Sequence, residues 1–220
     1  MDTRSRLESF ATLRRTLGVV AGVAREERAL WRASRNMPRP VPWDWARDRL
    51  VPLLAGPYLG RPGDDLVRTT LDPGCAVVFG LDLGGAFANV DTVVARRWEC
   101  TTAQIRDAAM TNLRQRGSQL EPEDVSSGTL SGRIVRLIHR GVGWASSLVL
   151  VPEELMRLFG SDDQILAAPG RSILLSFPIS TPTRVVADIV VDFERGETYP
   201  LWLDPFVLVD GVLHWKQSDD

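Results

Sequence analysis

The sequence predicts an α+β fold: a mostly antiparallel sheet of about five or six strands, helices packed largely on one face, and a long N-terminal helix. Two patterns carry this prediction. Residues 144–178 combine an apolar segment, a short helix that begins at Pro152 and two β-type runs, and they form the densest core-forming stretch. Farther along, Asp210-Gly211 joins two short apolar runs, which is typical of a β-hairpin. We expect residues 1–36 to form a helical arm and residues 37–220 to form a single α+β domain.

The N-terminal segment has the apolar period of a helix over residues 4–35. One stripe recurs at three- and four-residue steps and comprises Leu7, Phe10, Leu13, Leu17, Val20 and Ala24. Such a stripe must cover either the rest of this chain or a second copy, so self-association into a homodimer is one expectation. The prolines of 37–42 break the helix, and 44–54 is predicted to form a second short helix.

The middle of the chain alternates strand and helix signals. Strands are predicted at 66–71 and 75–81 around the turn Asp72-Pro73-Gly74, whereas 89–94 suits either a strand or the start of a helix. Residues 101–116 are predicted to form a helix, because Thr101 and Gln104 have the spacing of a capping box. A polar loop over 118–132 and a strand over 133–139 are expected to follow.

The C-terminal third begins with the helix from Pro152, which should end at Gly160. Strands are then predicted at 165–168 and 172–177, on either side of a Pro169-Gly170 turn. Residues 184–195 suit a helix or a strand, and the flanking Pro182 and Gly196 favour the helix.

Composition indicates a globular chain whose length suits one domain. It has 220 residues, 44% of them hydrophobic and 25% charged, and its formal net charge is −2. The N-terminus carries acids as well as arginines, unlike a signal peptide, and the apolar run at 17–24 is too short to span a membrane. We therefore expect a cytoplasmic protein with no transmembrane segment.

The charged and metal-binding residue types exclude several function classes. Cys75 and Cys100 are expected to remain thiols, with Cys75 buried, and the two histidines are too few and isolated for a zinc site. No metal or cofactor is predicted. Residues 1–49 hold eleven arginines against six acids, which favours a solvated helix face or a helix docked on an acidic body. A nucleic-acid or lipid contact is the weaker alternative, because the net charge is negative.

Between residues 76 and 215 the order of short motifs resembles the YtpQ-like family of uncharacterised bacterial proteins. The residues that carry the resemblance are Leu81-Asp82-Leu83-Gly84, Phe87, Val90-Asp91, Trp98, Thr101, Ile105-Arg106, Ala108-Ala109, Asn112-Leu113-Arg114, Trp144-Ala145-Ser146, Ala168-Pro169, Thr198 to Phe206, and Asp210-Gly211. The resemblance implies a small α+β domain in a bacterial cytoplasm and brings no activity with it. Trp144 and Ser172 stand where that family has acidic residues, so the resemblance implies no acidic site here.

The segment GLDLGG, residues 80–85, looks like the first phosphate loop of the sugar-kinase and actin superfamily. In that interpretation Asp82 positions a metal-bound nucleotide, and Gly84 and Gly85 let backbone amides approach phosphate. The usual Thr is Ala86, however, and the superfamily needs two such domains. A strand end followed by a glycine turn is the simpler interpretation.

Other candidate residues point to binding rather than catalysis. Arg171, at the predicted turn between two strands, could bind an anion. Most of the seven tryptophans are expected in the core, but Trp43 and Trp45 flank Asp44 on a proline-bounded turn, where an exposed ring would mark a partner surface. The apolar stripe adds Leu17 and Val20 to that candidate surface.

No catalytic residue is predicted. Ser146-Ser147 lacks the glycines of a nucleophile elbow, and the acidic pairs Glu153-Glu154 and Asp162-Asp163 have simpler roles at a helix end and in a loop. The first hypothesis is therefore a non-catalytic binding or interaction protein. The alternative is a small-ligand or nucleotide-binding enzyme that uses Asp82, Gly84 and Gly85.

Overall fold

The computed structural model describes residues 37–56, 65–72, 74–84, 86–130, 133–138, 143–160, 163–197 and 200–215, together with Arg32 and Arg35. The predicted N-terminal helix, with Leu17 and Val20, lies outside these residues apart from Arg32 and Arg35. Everything below concerns the described part of the chain.

Five α-helices and ten strands are found in the described residues. The helices are α1 (Trp43–Arg47), α2 (Thr92–Arg97), α3 (Thr102–Gly117), α4 (Pro152–Phe159) and α5 (Thr183–Glu194), and there are short 3-10 helices at Pro122–Asp124 and Ala145–Leu150. The strands are β1 (Leu50–Ala55), β2 (Arg68–Asp72), β3 (Cys75–Asp82), β4 (Phe87–Asn89), β5 (Val125–Leu130), β6 (Arg133–Ile138), β7 (Gln164–Gly170), β8 (Ile173–Pro178), β9 (Phe206–Val209) and β10 (Val212–Trp215).

The strands form two antiparallel sheets, which confirms the α+β class. In the smaller sheet β1 lies along one edge of β3, while β2 and β4 pair with the other edge. The larger sheet has the strand order β10-β9-β7-β8-β6-β5. The predicted single sheet of five or six strands is therefore two sheets.

The central strands of the larger sheet, β7 and β8, are buried on both faces. Side chains of successive strand residues point to opposite sides, and both sets are buried. Leu166 and Leu174 belong to the main core, which also contains side chains of β1, β3 and α3. Ile165 and Leu175 belong to a second core, formed with α5. Helical segments thus cover both faces, with α5 on one and the 3-10 helix at Ala145–Leu150 on the other. The prediction placed the helices largely on one face; in this sheet α5 covers one face and a 3-10 helix contacts the other.

Most predictions based on local sequence patterns are confirmed. The capping box is present, with Thr101 Oγ1 accepting from the Gln104 N–H and Gln104 Oε1 accepting from the Thr101 N–H. Helix α4 begins at Pro152, and 183–194 is helical rather than extended. At the β9–β10 hairpin Asp210 and Gly211 have φ of 49° and 74°, the positive values that a type I′ turn requires. Cys75 is buried and not disulfide-bonded.

Two predictions of local secondary structure were wrong. The helix expected over 44–54 ends at Arg47, and Leu50–Ala55 is strand β1, buried at every position. Pro52 is tolerated there because, among the described strands, β1 pairs only with β3, so one of its edges needs no backbone donor. The polar loop expected over 118–132 contains strand β5, which forms a hairpin with β6.

Smaller differences concern boundaries. Strand β7 runs through Pro169-Gly170, so the turn before β8 is formed by Arg171-Ser172.

Among the described residues, none of the helices combines the length and the apolar character needed to cross a membrane.

Because the centre of the larger sheet is buried on both faces, truncating a core side chain on either face should destabilise the protein to a similar degree. Leu166 and Leu175 are each fully buried, so Leu166→Ala and Leu175→Ala should each lower the free energy of unfolding by about 2–5 kcal/mol. Val212, 54% exposed on the edge strand β10, is the control, and Val212→Ala should change it by less than about 0.5 kcal/mol. Urea denaturation measures all three. A near-neutral Leu175→Ala would show that α5 does not cover this face.

Candidate functional site

Asp82 ends strand β3, and both of its carboxylate oxygens bind groups of this chain. Oδ1 accepts a 2.8 Å hydrogen bond from the Gly84 N–H, and Oδ2 pairs with the guanidinium of Arg116 from α3. The two side chains are largely buried, with Asp82 15% and Arg116 23% exposed. Gly84 has φ of 84°, a conformation that favours glycine, and this explains the glycine after the strand. Gly85 lies outside the described residues.

This geometry gives Asp82 a structural role. Its carboxylate shapes the turn after β3 and ties that turn to α3. A metal-bound nucleotide at this position would have to displace Arg116 from a mostly buried ion pair. The motif was found from the sequence, but its partner, 34 residues away, was not.

Trp43 and Trp45 are half-buried and pack against the main core. The Trp43 ring lies 5.5 Å from that of Trp98, centroid to centroid, and the Arg49 guanidinium lies 4.2 Å above the ring of Trp45. Trp98 in turn donates from Nε1 to the Val41 carbonyl at 2.8 Å. Both predicted rings thus have neighbours within their own chain.

Arg171 lies at the β7–β8 turn, which is held by two neighbouring segments. Its carbonyl accepts a 3.1 Å hydrogen bond from the Ser146 N–H, and Ser172 Oγ lies 3.2 Å from Glu197 Oε2. Glu197 also lies directly over Gly170, where a Cβ would collide with its carboxylate. Beside this turn, the hydroxyls of Ser146 and Ser147 are buried and have no hydrogen-bond partner within the described residues.

The C-terminal end of α5 carries a carboxylate that the sequence did not single out. Glu194 is only 6% exposed, and it accepts a hydrogen bond from the backbone N–H of Trp202. Burial raises the pKa of the Glu194 carboxyl above its usual value, while the bond from Trp202 acts in the opposite direction. A buried carboxylate is costly, so its position at this backbone group needs an explanation.

Trp202, the residue that Glu194 holds, is turned toward solvent. Its side chain is 51% exposed, while its neighbours Leu201 and Leu203 are 2% and 7% exposed. Its φ is 52°, in the left-handed region that a bulky residue rarely adopts. Leu201 anchors the segment by donating from its N–H to the Pro169 carbonyl at 3.1 Å, and its own carbonyl lies against Gly56, where no side chain would fit.

Trp202 was not predicted as a site residue, because tryptophan is normally a core residue. The available signal was the pattern Leu-Trp-Leu-Asp between Pro200 and Pro205, in which alternate residues can face opposite sides. Neither the positive φ nor the bond to Glu194 can be read from that pattern.

Within the described residues, no group of three or more histidine, cysteine or acidic side chains is placed to hold a metal ion. In comparisons with known proteins, the chain matched no family model, no curated protein and no solved structure.

The Asp82–Arg116 pair predicts a measurable coupling. Arg116→Ala leaves a mostly buried carboxylate without its counter-charge, and it should lower the free energy of unfolding by about 1–3 kcal/mol. Asp82→Asn keeps an acceptor for the Gly84 N–H but not the charge, so the double variant should lose less than the sum of the single losses. Urea denaturation of the four proteins measures the coupling. Additive losses would show that the charges of Asp82 and Arg116 are not coupled.

Glu194 predicts a pH dependence of stability. Because burial raises its pKa in the folded state, the folded protein binds this proton more tightly than the unfolded chain. Its contribution therefore favours folding below the unfolded pKa, about 4.3, and is lost as pH rises through the folded pKa. Glu194→Gln, which can still accept from Trp202, should gain stability relative to the natural protein as pH rises from 4 to 8.

The control for that experiment is Glu123→Gln, which removes an exposed carboxylate at Pro122–Asp124. Its difference from the natural protein should not follow the Glu194 profile. Thermal unfolding at a series of pH values gives both curves. A Glu194→Gln difference that stays constant across the series would contradict the assignment.

Proposed function

We propose that the protein is a non-catalytic binding module that holds a protein partner at Trp202. The observation that carries the proposal is a half-exposed tryptophan fixed in a left-handed backbone conformation. Left-handed backbone costs a non-glycine residue roughly 1–2 kcal/mol. Such strain persists where the surrounding structure enforces it, and it is concentrated at functional positions.

The neighbouring contacts support a docking role. Leu201 and Leu203 fix the segment in the protein interior on both sides of Trp202, and Glu194 holds its N–H. The ring is therefore presented by a rigid support, so little of its freedom remains to be lost on binding. Tryptophan is also the residue type most enriched among those that dominate protein–protein binding energy. One helical turn before Glu194, Val191 adds a second exposed apolar side chain, 39% exposed.

The alternative, nucleotide or small-ligand binding at Asp82, receives less support. Its carboxylate is already paired with Arg116 and the Gly84 N–H. The candidate surface formed by Trp43 and Trp45 is also less suitable than Trp202, since both rings pack within the chain.

Self-association through residues 1–36, including Leu17 and Val20, concerns residues outside those described and stays a separate proposal. The resemblance to the YtpQ-like family and a cytoplasmic location are likewise proposals that rest on the sequence alone.

A photo-crosslinking experiment tests the binding site. A photoreactive residue at position 204, exposed beside Trp202, should give a discrete higher-mass adduct in cells, whereas the same residue at position 93 should not. Val93 is a matched control because it is 52% exposed on α2, in a different part of the molecule. Adding Trp202→Gly should abolish the adduct at 204, because a central tryptophan contributes about 2 kcal/mol or more to binding.

Trp202→Gly is chosen because glycine adopts φ of 52° without strain, so loss of the adduct cannot be attributed to failed folding. For the same reason Trp202→Gly should be more stable than Trp202→Ala by about 1 kcal/mol, as thermal unfolding will show.

Equal adducts at 204 and 93, or an adduct at 204 that persists in Trp202→Gly, would refute the proposal. A thermal shift with a magnesium nucleotide that depends on Asp82 would favour the alternative.

A further inference from the structure

The helix α5 and the segment that follows it, which carries Trp202, are rich in acids. Residues 183–205 contain five acids, at 188, 192, 194, 197 and 204, and two basic residues, Arg184 and Arg195. Their net charge is therefore −3, compared with −2 for the whole chain. The acidity of this segment exceeds that of the entire protein.

Three of these acids face solvent in the helix and the segment that hold the exposed tryptophan. Asp188, Asp192 and Asp204 are exposed, and Asp204 is two residues from the exposed Trp202. The guanidinium of Arg195 lies 3.5 Å from Asp192, so this basic group is beside one of the acids of the same segment. The Glu194 carboxylate accepts a hydrogen bond from the backbone of Trp202.

An aromatic face surrounded by carboxylates has a definite preference for its ligand. The π-cloud of tryptophan attracts cations, and most strongly among the aromatic side chains. Arginine suits this combination better than lysine, because its planar guanidinium can stack on a ring and donate two parallel hydrogen bonds to a carboxylate. A basic partner would also be drawn to the acidic surface during approach.

We propose that the partner docked at Trp202 is a basic protein segment that places an arginine side chain on the indole face and pairs with the surrounding carboxylates. This inference rests on the proposed function and adds the chemistry of the partner. The other occupants to be distinguished are a neutral or acidic peptide and a second copy of this chain.

A displayed library of random peptides, selected on the full-length protein, tests the inference. The selected pool should be enriched in arginine next to an apolar residue. The strongest synthetic peptide should bind about 10-fold more weakly to Trp202→Gly, and similarly to a variant carrying Asp188→Asn, Asp192→Asn and Asp204→Asn. Replacing its arginine by lysine should weaken binding about threefold. The control variant is Asp65→Asn, which removes an exposed acid outside this segment and should leave the affinity unchanged.

The outcomes separate the two proposals. If no selected peptide depends on Trp202, the proposed function itself fails. If binding depends on Trp202 but the peptides have no excess of basic residues, or the triple Asn variant binds them equally well, only the basic partner is refuted. A concentration-dependent dimer in light scattering that disappears in Trp202→Gly would identify a second copy as the occupant and would also refute it.

Discussion

Burial of the larger sheet on both of its faces is the constraint on which the rest of the structure depends. Strands β7 and β8 lie at its centre, and every residue of β7 is buried. Polar groups in such strands must therefore find partners inside the protein. Gln164 shows this, since its Oε1 accepts from Ser176 Oγ at 2.6 Å and its Nε2 donates to the Gly160 carbonyl at 2.9 Å. The same constraint requires α5 on one side and the smaller sheet on the other.

Elements specified by local chemistry could be predicted from the sequence, whereas elements specified by long-range burial could not. The capping box of α3 and the Asp210-Gly211 turn depend on residues within a few positions of each other. Strand β1 depends on β3, which follows it by about 25 residues, and its apolar run has no period that distinguishes strand from helix. Strand β5 has too few apolar residues to be recognised, and it exists because β6 pairs with it.

The candidate sites follow the same division. The turn after β3 was recognisable as a strand end with glycines, but its chemical role was set by Arg116, which only the fold brings to Asp82. The exposed position of Trp202 depends on Glu194 and Pro169, which are close in space through the packing of α5 and β7. Because tryptophan usually lies in the core and these contacts cannot be predicted from the sequence, Trp202 was not expected at the surface.

Trp202 combines two energetic costs that a simple structural role would avoid. A tryptophan in the core would gain from full burial, and a glycine at this turn would avoid the strain of φ at 52°. The chain has neither arrangement, and it also keeps Glu194 desolvated at the tryptophan's backbone. Local departures from the rules that govern stability are concentrated where function requires them. The strain, the buried carboxylate and the exposed ring meet at one residue, and this coincidence is the reason to look for the partner there.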